Sequence, residues 1–364
     1  MKNTFGTSVA VTLFGESHGA QIGAVIDGLA PGIAVDREYI AAALARRRPQ
    51  DALSTARREA DEFSIVSGVY EGRTTGTPLC ILIPNRDTRS ADYAAMQTVA
   101  RPGHADYTSY CKYHGYADPR GGGHFSGRIT AALVAAGAIL QSALHQRGID
   151  VATHILRCGD VWDRAFADDP ATDTERLHSA VFPTLDSAAG DGIKAAILDA
   201  KSNLDSVGGI LQTAVTGVPE GVGEPWFDTV EGILSHALFA IPAVKGVEFG
   251  SGFAMAGMTG HAANDPFAVV DGRVVTATNH NGGINGGITN GMPIVFQCAV
   301  KPTPSIGQTQ HTVDFVKKEE TDLTIAGRHD PSIVARACAV VDSVTALVIA
   351  DLLAQRYGTD WLKG

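Results

Sequence analysis

The order of apolar and polar positions along the chain predicts a fold that mixes strands with helices. Apolar runs of strand length occupy residues 7–14, 21–26, 63–69, 79–84, 207–219, 244–253 and 293–302. Runs with helical spacing occupy residues 36–48, 128–147, 187–206, 228–241 and 332–356, the first with Asp36 as its N-cap. Because strands follow one another instead of alternating regularly with helices, the pattern indicates the α+β class.

The run at residues 129–146 requires a choice between a membrane span and a buried helix. It contains no formally charged side chain and is long enough for a marginal span. It is, however, rich in alanine and includes Thr130, Gln141, Ser142 and His145. We therefore predict a buried helix of a soluble protein, and the N-terminal residues do not have the basic and apolar regions of a signal peptide.

Composition and charge narrow the classes of function. The 364 residues carry a formal net charge of −10, which opposes binding to nucleic acid or to anionic membranes. His104, His114 and His124 are evenly spaced, but in a loop this spacing defines no common face, so we expect no metal site. The cysteines lie far apart and form no CxxC pair, which indicates a reduced protein of the cytoplasm; they are Cys80, Cys111, Cys158, Cys298 and Cys338.

Two histidine-containing segments are candidates for acid–base chemistry. FGESHG, residues 14–19, places His18 between glycines, and RPGHADYT, residues 101–108, contains His104 within a polar stretch at 85–127. Loops of that length in compact proteins are usually functional. Histidine is the side chain most readily used as an acid or base near neutral pH. A lone histidine in a turn can also be a hydrogen-bonded turn residue, and that alternative stays open.

The segment DPRGGGHFSGR, residues 118–128, indicates an anion site. Three consecutive glycines allow backbone amides to gather around one point, and a helix begins directly afterwards. Arg120 and Arg128 flank the glycines, and Ser126 adds a hydroxyl. These groups suit phosphate or carboxylate. The alternative is a flexible glycine hinge, and the spacing matches neither a Walker loop nor a dinucleotide fingerprint.

Three further segments have both a functional and a plain interpretation. ARRRP, at 45–49, is either a solvated helix end or part of the anion site. NGGINGGITNG with the following KPTPSI is either a set of tight turns or a second backbone cradle with Lys301. GRHDP, at 327–331, is either a surface ion pair or a substrate-binding Arg328 beside a proton-accepting Asp330.

Taken together, these segments resemble the chorismate synthase family. The resemblance runs over nearly the whole chain, from FGESHG through SGVYEGRTTGTP, NRDTRSADY, RPGHADYT, AVKGVEFGSGF, NGGINGGITNGMPIVF and KPTPSI to GRHDP. It implies a single large β-α-β sandwich domain over residues 1–364, with long helices packed between antiparallel sheets, and a homotetramer. Length alone would suggest about two domains, but site segments between His18 and Asp330 have to meet in space.

The resemblance also implies a reaction. The family converts 5-enolpyruvylshikimate 3-phosphate to chorismate and phosphate by a 1,4-anti-elimination, the last step of the shikimate pathway, with no net redox change. It nevertheless requires reduced FMN, which lends an electron as phosphate leaves and recovers it as the C6 hydrogen is removed. NADPH or an external flavin reductase would supply the reduced flavin.

Residue roles follow from the same resemblance. His18 matches the acid for the departing phosphate, His104 the acid that protonates the reduced flavin, and Asp330 the carboxylate that assists at flavin N5. The residues matching the substrate site are Ser17, Arg47, Arg101, Arg128 and Arg328. Those matching the FMN site are His124, Phe125, Ser126, Pro242, Ala243, Gly286, Lys301, Pro302, Thr303, Pro304, Ser305 and Arg328.

The sequence departs from the family's pattern at two places, and two rival functions stay open. Many family members read RGGGRSS where this chain has RGGGHFS, so His124 and Phe125 replace an arginine and a serine, and a neutral histidine binds phosphate less firmly than arginine. After RRRP this chain lacks the usual further arginine near Leu53 or Ser54.

The rival functions are a flavin enzyme with a redox reaction on another phosphorylated acid and a non-catalytic flavin- or phosphate-binding protein.

Overall fold

Two five-stranded antiparallel sheets flank the long helices in the computed structural model, which describes residues 2–49, 53–54, 60–86, 98–325 and 330–363. The first sheet has the order β1–β2–β3–β7–β4, with β1 (Thr4–Phe5), β2 (Ala10–Gly15), β3 (Gln21–Asp27), β7 (Leu79–Pro84) and β4 (Ser64–Ser67). The second has the order β11–β16–β10–β8–β9, with β11 (Val244–Phe249), β16 (Ile294–Val300), β10 (Gly209–Thr216), β8 (Asp150–Cys158) and β9 (Val161–Trp162).

The helices between the sheets form the core. They are α1 (Arg37–Arg47), α3 (Thr130–Gln146), α6 (Val230–Leu238) and α8 (Val334–Tyr357). Helix α3 packs on β3 and β7, α8 packs on β8 and β10, and the two helices pack on each other. One cluster of buried hydrophobic side chains extends from the first sheet through these helices to the second. The α+β class and the helices between antiparallel sheets are thereby confirmed.

Two helical segments are long and apolar enough to span a membrane, Gly127–Gln146 and Val334–Tyr357. In the most apolar window of each, 89% and 100% of the residues are buried within the protein. Burial against other parts of the same chain explains their apolar composition. The prediction of a buried helix at 129–146 is therefore confirmed.

The remaining elements surround this core. The shorter helices are α2 (Asp106–Lys112), α4 (Ala171–Ser179), α5 (Ser187–Ser202) and α7 (Gly260–Ala263). Four two-stranded ribbons are formed by β5 (Val69–Tyr70) with β6 (Arg73–Thr74), β12 (Phe267–Val270) with β13 (Arg273–Thr276), β14 (Ile284–Asn285) with β15 (Ile288–Thr289), and β17 (Gln310–Asp314) with β18 (Glu319–Leu323).

Both halves of the chain repeat one topology. In the first, β2 and β3 are followed by α1, then by β4, β7 and α3; in the second, β8 and β10 are followed by α6, then by β11, β16 and α8. In both sheets the fourth of these strands pairs between the second and the third. The sequence contains no fixed-period repeat, because elements inserted between β8 and β10 and between β11 and β16 change the spacing.

Helix α1 shows what the arginine run at its end does. Its N-cap is Asp36, as predicted, whose carboxylate accepts from Glu38 N at 2.9 Å and Tyr39 N at 3.0 Å. Arg46 is partly buried and pairs with the fully buried Asp342 of α8, Nη2 to Oδ2, at 2.7 Å. Burial raises the pKa of Asp342 above its usual range, and the Arg46 charge opposes that shift. The ion pair fixes α1 against α8.

The crossing of α3 and α8 leaves no space for a side chain at Gly137. A Cβ there would lie 2.4 Å from Ser343 Cβ and 2.7 Å from its Cα.

Gly137→Ala should therefore lower the free energy of unfolding, because overpacking of about 1–3 kcal/mol exceeds the gain of about 1 kcal/mol in helix propensity. Urea unfolding at a fixed protein concentration measures the change. Gly260→Ala, at the start of α7 with nothing within 4 Å, is the control, and equal midpoints for both variants would contradict the prediction.

Candidate active site

A cleft of about 1020 Å³ collects most of the predicted site residues. Its polar wall contains His18, His104 and Asp330, and its apolar wall includes Leu13 of β2 and Val344 of α8. The predicted residues that line it are His18, Arg47, Arg101, His104, His124, Phe125, Ser126, Arg128, Pro242, Ala243, Lys301, Thr303, Pro304, Ser305 and Asp330. The volume is at the upper end of the roughly 300–1,000 Å³ usual for small-molecule sites.

The glycine-rich loop brings the two histidines together. Gly121, Gly122 and Gly123 all have positive φ, between 53° and 88°. A Cβ on Gly121 would lie 2.6 Å from His18 Nε2, and a Cβ on Gly122 would lie 3.4 Å from His104 Nε2. The loop therefore needs glycine for its backbone conformation and for the space that the two imidazoles occupy. The alternative of a flexible hinge does not account for this packing.

His18 lies in a tight turn tied to that loop. Gly19 N donates to Glu16 O at 3.1 Å and closes the turn, and Ser17 N donates to Gly123 O at 3.0 Å. The Ser17 hydroxyl is fully buried beside Gly121 and has no hydrogen-bond partner among the described residues. A buried hydroxyl without a partner is costly, so this one is suited to a polar ligand atom.

His104 belongs to a charged cluster with Arg101 and Asp106. Its Nδ1 lies 2.8 Å from Asp106 Oδ1, and Arg101 donates to the same carboxylate from Nε at 2.8 Å and Nη2 at 2.7 Å. Burial opposes the charged carboxylate, but the hydrogen bonds from Arg101 and His104 outweigh it and hold the pKa of Asp106 well below its usual range. A charged acceptor at Nδ1 keeps the proton there and leaves Nε2, beside Gly122, for chemistry.

Arg47 and Arg128 share one buried carboxylate, that of Asp61. Arg47 Nη1 lies 3.2 Å from Asp61 Oδ2, and Arg128 Nη1 donates to Asp61 Oδ1. The three residues are only 4–6% exposed. Asp61 has φ of 51°, a left-handed conformation that a residue with a side chain adopts at a cost. Among the described residues, two arginines of the cleft wall thus share one carboxylate.

Further contacts fix the direction of each guanidinium. Arg47 donates from Nε to Thr130 Oγ1 at 2.9 Å and from Nη2 to Gly127 O at 2.9 Å, both at the start of α3. Arg128 donates from Nη2 to Pro84 O at 3.1 Å, at the end of β7. These buried contacts exclude a solvated helix end for Arg47.

Asp330 lines the cleft just before the start of α8. Its Oδ2 accepts from Arg336 Nη1 at 2.8 Å, and Arg336 Nε also donates to Arg47 O at 2.9 Å. Arg336 therefore joins the carboxylate predicted to accept a proton to the end of α1. Arg328, the other residue predicted in GRHDP, lies outside the described residues.

Comparison with known proteins identifies this arrangement. A sequence profile of the family described as chorismate synthase matches residues 9–354. The chorismate synthase of Thermococcus kodakarensis is 46% identical over 352 residues, 96% of this chain and 97% of the relative. That of Archaeoglobus fulgidus is 45% identical over 351 residues, with 96% and 97% covered. The chain belongs to the chorismate synthase family.

The fold of the family is shared as well. A crystal structure of a chorismate synthase matches with a TM-score of 0.77 at 27% identity, covering 97% of this chain and 94% of that chain. Membership confirms the predicted reaction, the elimination of phosphate from 5-enolpyruvylshikimate 3-phosphate to give chorismate, and with it the class of carbon–oxygen lyase acting on phosphates.

The second half of the chain supplies a wall that fits a flavin mononucleotide. Lys301 and Ser305 supply a cation and a hydroxyl, and Thr303 Oγ1 is buried without a partner among the described residues. Ala243, whose carbonyl accepts from Lys301 N at 2.9 Å, has φ of 76°, a strained conformation typical of ligand sites. Phe125 adds an aromatic side chain.

His124 stands where many chorismate synthases have arginine. Its Nδ1 lies 2.7 Å from Gly15 O, so Nδ1 donates and Nε2 is the other nitrogen available to a ligand. Ser126 caps the short 3-10 helix Gly127–Ile129 that leads into α3, its Oγ accepting from Arg128 N at 3.2 Å. Both contacts fix the loop ahead of α3.

Some predicted residues do not line the cleft. Ser17 is fully buried and is absent from the lining, although its neighbour His18 is present. Gly286 is exposed at the turn between β14 and β15, and Pro302 is absent from the lining although its neighbours Lys301 and Thr303 are present. Their roles stay predictions. Arg120, which the sequence associates with the anion site, lies outside the cleft wall and pairs with Asp118, Nη2 to Oδ2, at 2.7 Å.

The sequence interpretation missed three charged residues of the site: Asp61, Asp106 and Arg336. Asp106 could have been found as the nearest carboxylate to His104, since a catalytic histidine commonly has an orienting acid. Asp61 carries no such signal, because Arg47 and Arg128 are 14 and 67 residues away in the sequence. Arg336 is six residues from Asp330 but 289 residues from Arg47, and its link between the two is visible only in the fold.

Removing the shared carboxylate should be costly. Asp61→Ala would remove the carboxylate that two buried arginines share, and we expect a loss of about 3–5 kcal/mol in the free energy of unfolding. Urea unfolding at a fixed protein concentration measures it. Asp160→Ala removes the fully exposed partner of Arg157 and should change little. An Asp61→Ala midpoint equal to that of the wild type would contradict the shared ion pair.

Proposed function

We propose that the cleft is the site at which this chain eliminates phosphate from 5-enolpyruvylshikimate 3-phosphate, with reduced FMN as its cofactor. The observation that carries the proposal is the approach of His18 and His104 to adjacent glycines of one loop, beside the buried arginines Arg47 and Arg128. Paired general acids at an anion site suit the departure of phosphate better than they suit binding alone.

The arginines would bind the anionic groups of the substrate. Arg47 and Arg128 line the cleft while sharing the Asp61 carboxylate, and Arg101 adds a guanidinium beside His104. Guanidinium groups in a partly enclosed cleft attract phosphate and carboxylate strongly although the whole chain is negative. The Ser17 hydroxyl, which has no partner among the described residues, stays a predicted substrate contact, although Ser17 itself is not part of the cleft lining.

Protons would be handled by three side chains. His18 would donate a proton from Nε2 to the oxygen of the departing phosphate. His104, with Nδ1 held by Asp106, would hold a proton at Nε2 on the cofactor side of the cleft. Asp330 would accept a proton, and its ion pair with Arg336 holds its carboxylate in the wall of the cleft.

Reduced FMN, when bound, supplies an electron that assists the loss of phosphate and recovers it when the C6 hydrogen is removed. Lys301, Thr303 and Ser305 would hold its polar parts, and Pro242 and Ala243 would pack beside it, with Phe125 and the apolar wall excluding water. NADPH or an external flavin reductase stays the predicted source of electrons.

The two histidines should separate catalysis from binding. In an anaerobic assay with chemically reduced FMN, the wild type should release chorismate and phosphate in equal amounts and leave the flavin reduced. His18→Ala and His104→Ala should each lower kcat by about 10²–10⁴-fold, the usual contribution of a general acid. FMN binding, measured by flavin fluorescence, should change little.

Other outcomes would favour a rival. Net oxidation of flavin or NADPH with each turnover would indicate a redox enzyme for another phosphorylated acid. Bound FMN without product would indicate a binding protein, and unchanged turnover in both variants would remove the assignment of the histidines.

We also propose that the chain forms one domain, acts in the cytoplasm and assembles as a homotetramer. The ribbon of β12 and β13 supports assembly, because all four residues of β12 are exposed and Phe267, Val269 and Val274 are 65–74% exposed. A two-stranded ribbon is marginal alone, and exposed apolar patches mark interfaces.

A charge on the ribbon should break that assembly. Val269→Asp would place a carboxylate in the apolar contact, and we expect the mass measured by light scattering to fall from four chains to two or one. Val181→Asp, at a valine that is 88% exposed outside the ribbon, is the matched control. A tetramer in both variants would exclude the ribbon from the interface.

A further inference from the structure

Asn85 makes three side-chain hydrogen bonds directly behind the cleft. Its Nδ2 donates to Glu16 O at 2.9 Å and to Gly19 O at 2.8 Å, and its Oδ1 accepts from Arg128 Nε at 2.9 Å. The chemistry fixes the orientation of the amide, because only the NH₂ group can face two carbonyls and only the oxygen can face a guanidinium. Asn85 does not line the cleft.

These bonds join two parts of the proposed machinery. Glu16 and Gly19 are the first and last residues of the turn that carries His18, so the amide contacts both ends of that turn. The backbone of Asn85 is itself fixed, because its N–H donates to Ala20 O at 3.1 Å and continues the pairing of β3 with β7. The end of β7 thereby fixes the distance between the turn and Arg128.

Given the role proposed above for His18, we propose that Asn85 is a positioning residue that sets the place of His18 relative to an anion bound at Arg128. Proton transfer to a departing phosphate requires hydrogen-bond distance, and a displacement of about 1 Å can cost about 10²-fold in rate. Asn85 acts through His18 and touches no reacting atom.

Arg128 is also held by groups other than Asn85, so the loss of Asn85 should affect Arg128 and the His18 turn differently. Its guanidinium is also held by Asp61 and by Pro84 O. Among the backbone hydrogen bonds of the described residues, the turn would keep its own closing bond and the bond from Ser17 N to the glycine loop. Loss of the amide should therefore displace His18 more than Arg128, lowering kcat while changing KM little.

A double-mutant cycle tests the proposal. Asn85→Ala should lower kcat by about 10–100-fold in the wild type, but by less than about threefold in a His18→Ala background, because the residue that it positions is then absent. Amide hydrogen exchange of residues 15–20 should become faster in Asn85→Ala.

Two further variants complete the set. Asn85→Asp keeps the shape but replaces the donor with a carboxylate oxygen facing two carbonyls; it should lower kcat likewise and also raise KM by placing a negative charge beside Arg128. Thr74→Val is the matched control, since the Thr74 hydroxyl also bridges two backbone groups, Ala30 O and Ile33 N, but away from the cleft. It should leave kcat and the exchange of residues 15–20 unchanged.

The outcomes distinguish this inference from the proposed function. An equal loss of kcat from Asn85→Ala in both backgrounds would indicate general destabilisation and overturn the positioning role. If His18→Ala loses turnover and Asn85→Ala keeps the turnover of the wild type, this inference alone is overturned. Unchanged turnover in His18→Ala would overturn both.

Discussion

The buried carboxylate of Asp61 is the interaction on which the cleft depends. A guanidinium taken out of water without a counter-ion is strongly unfavourable, and Arg47 and Arg128 are both buried where the end of α1 meets the start of α3. One carboxylate serves both, with one oxygen for each arginine. The arrangement keeps both guanidinium groups at the wall of the cleft, where the proposed function places an anionic ligand, and the left-handed backbone of Asp61 is part of its cost.

The repeated topology explains why distant segments meet at this place. Corresponding junctions of the two halves line one cleft: the end of α1 with Arg47 and the end of α6 with Pro242, the start of α3 with Arg128 and the start of α8 with Asp330. The first half contributes the histidine turn and the paired arginines. The second contributes the proposed flavin wall, including the segment that follows β16. Packing of α3 against α8, with Gly137 at their crossing, brings the two sets together.

Sequence reasoning located most elements whose apolar pattern is continuous. Strand β7 was predicted at its observed bounds, and the glycine loop with its helix start was predicted as an anion site. Strand β8 was missed because buried polar residues interrupt its pattern: Thr153 hydrogen bonds to Thr213, and His154 to Asp163 and Gln212. The partners that make their burial tolerable lie on other segments. Asp61 was missed for the same reason, because its role depends on arginines that only the fold brings near.

The roles of most site residues came from family resemblance, whereas the contacts that hold them are visible only in three dimensions. Neither the orientation of His104 by Asp106 nor the link from Asn85 to the His18 turn could be derived from spacing, because each depends on side-chain directions in loops. The glycines at 121 and 122 illustrate the difference. The sequence indicated backbone freedom, and the structure adds that two imidazoles occupy the space beside them.

The most direct test of this account is a structure of the protein with 5-enolpyruvylshikimate 3-phosphate and oxidised FMN. The account predicts anionic groups of the substrate in hydrogen-bond contact with Arg47 and Arg128, His18 Nε2 within reach of the phosphate ester oxygen, and the flavin against the wall formed by residues 301–305. Substrate bound away from the two arginines, with His18 far from its phosphate, would contradict it.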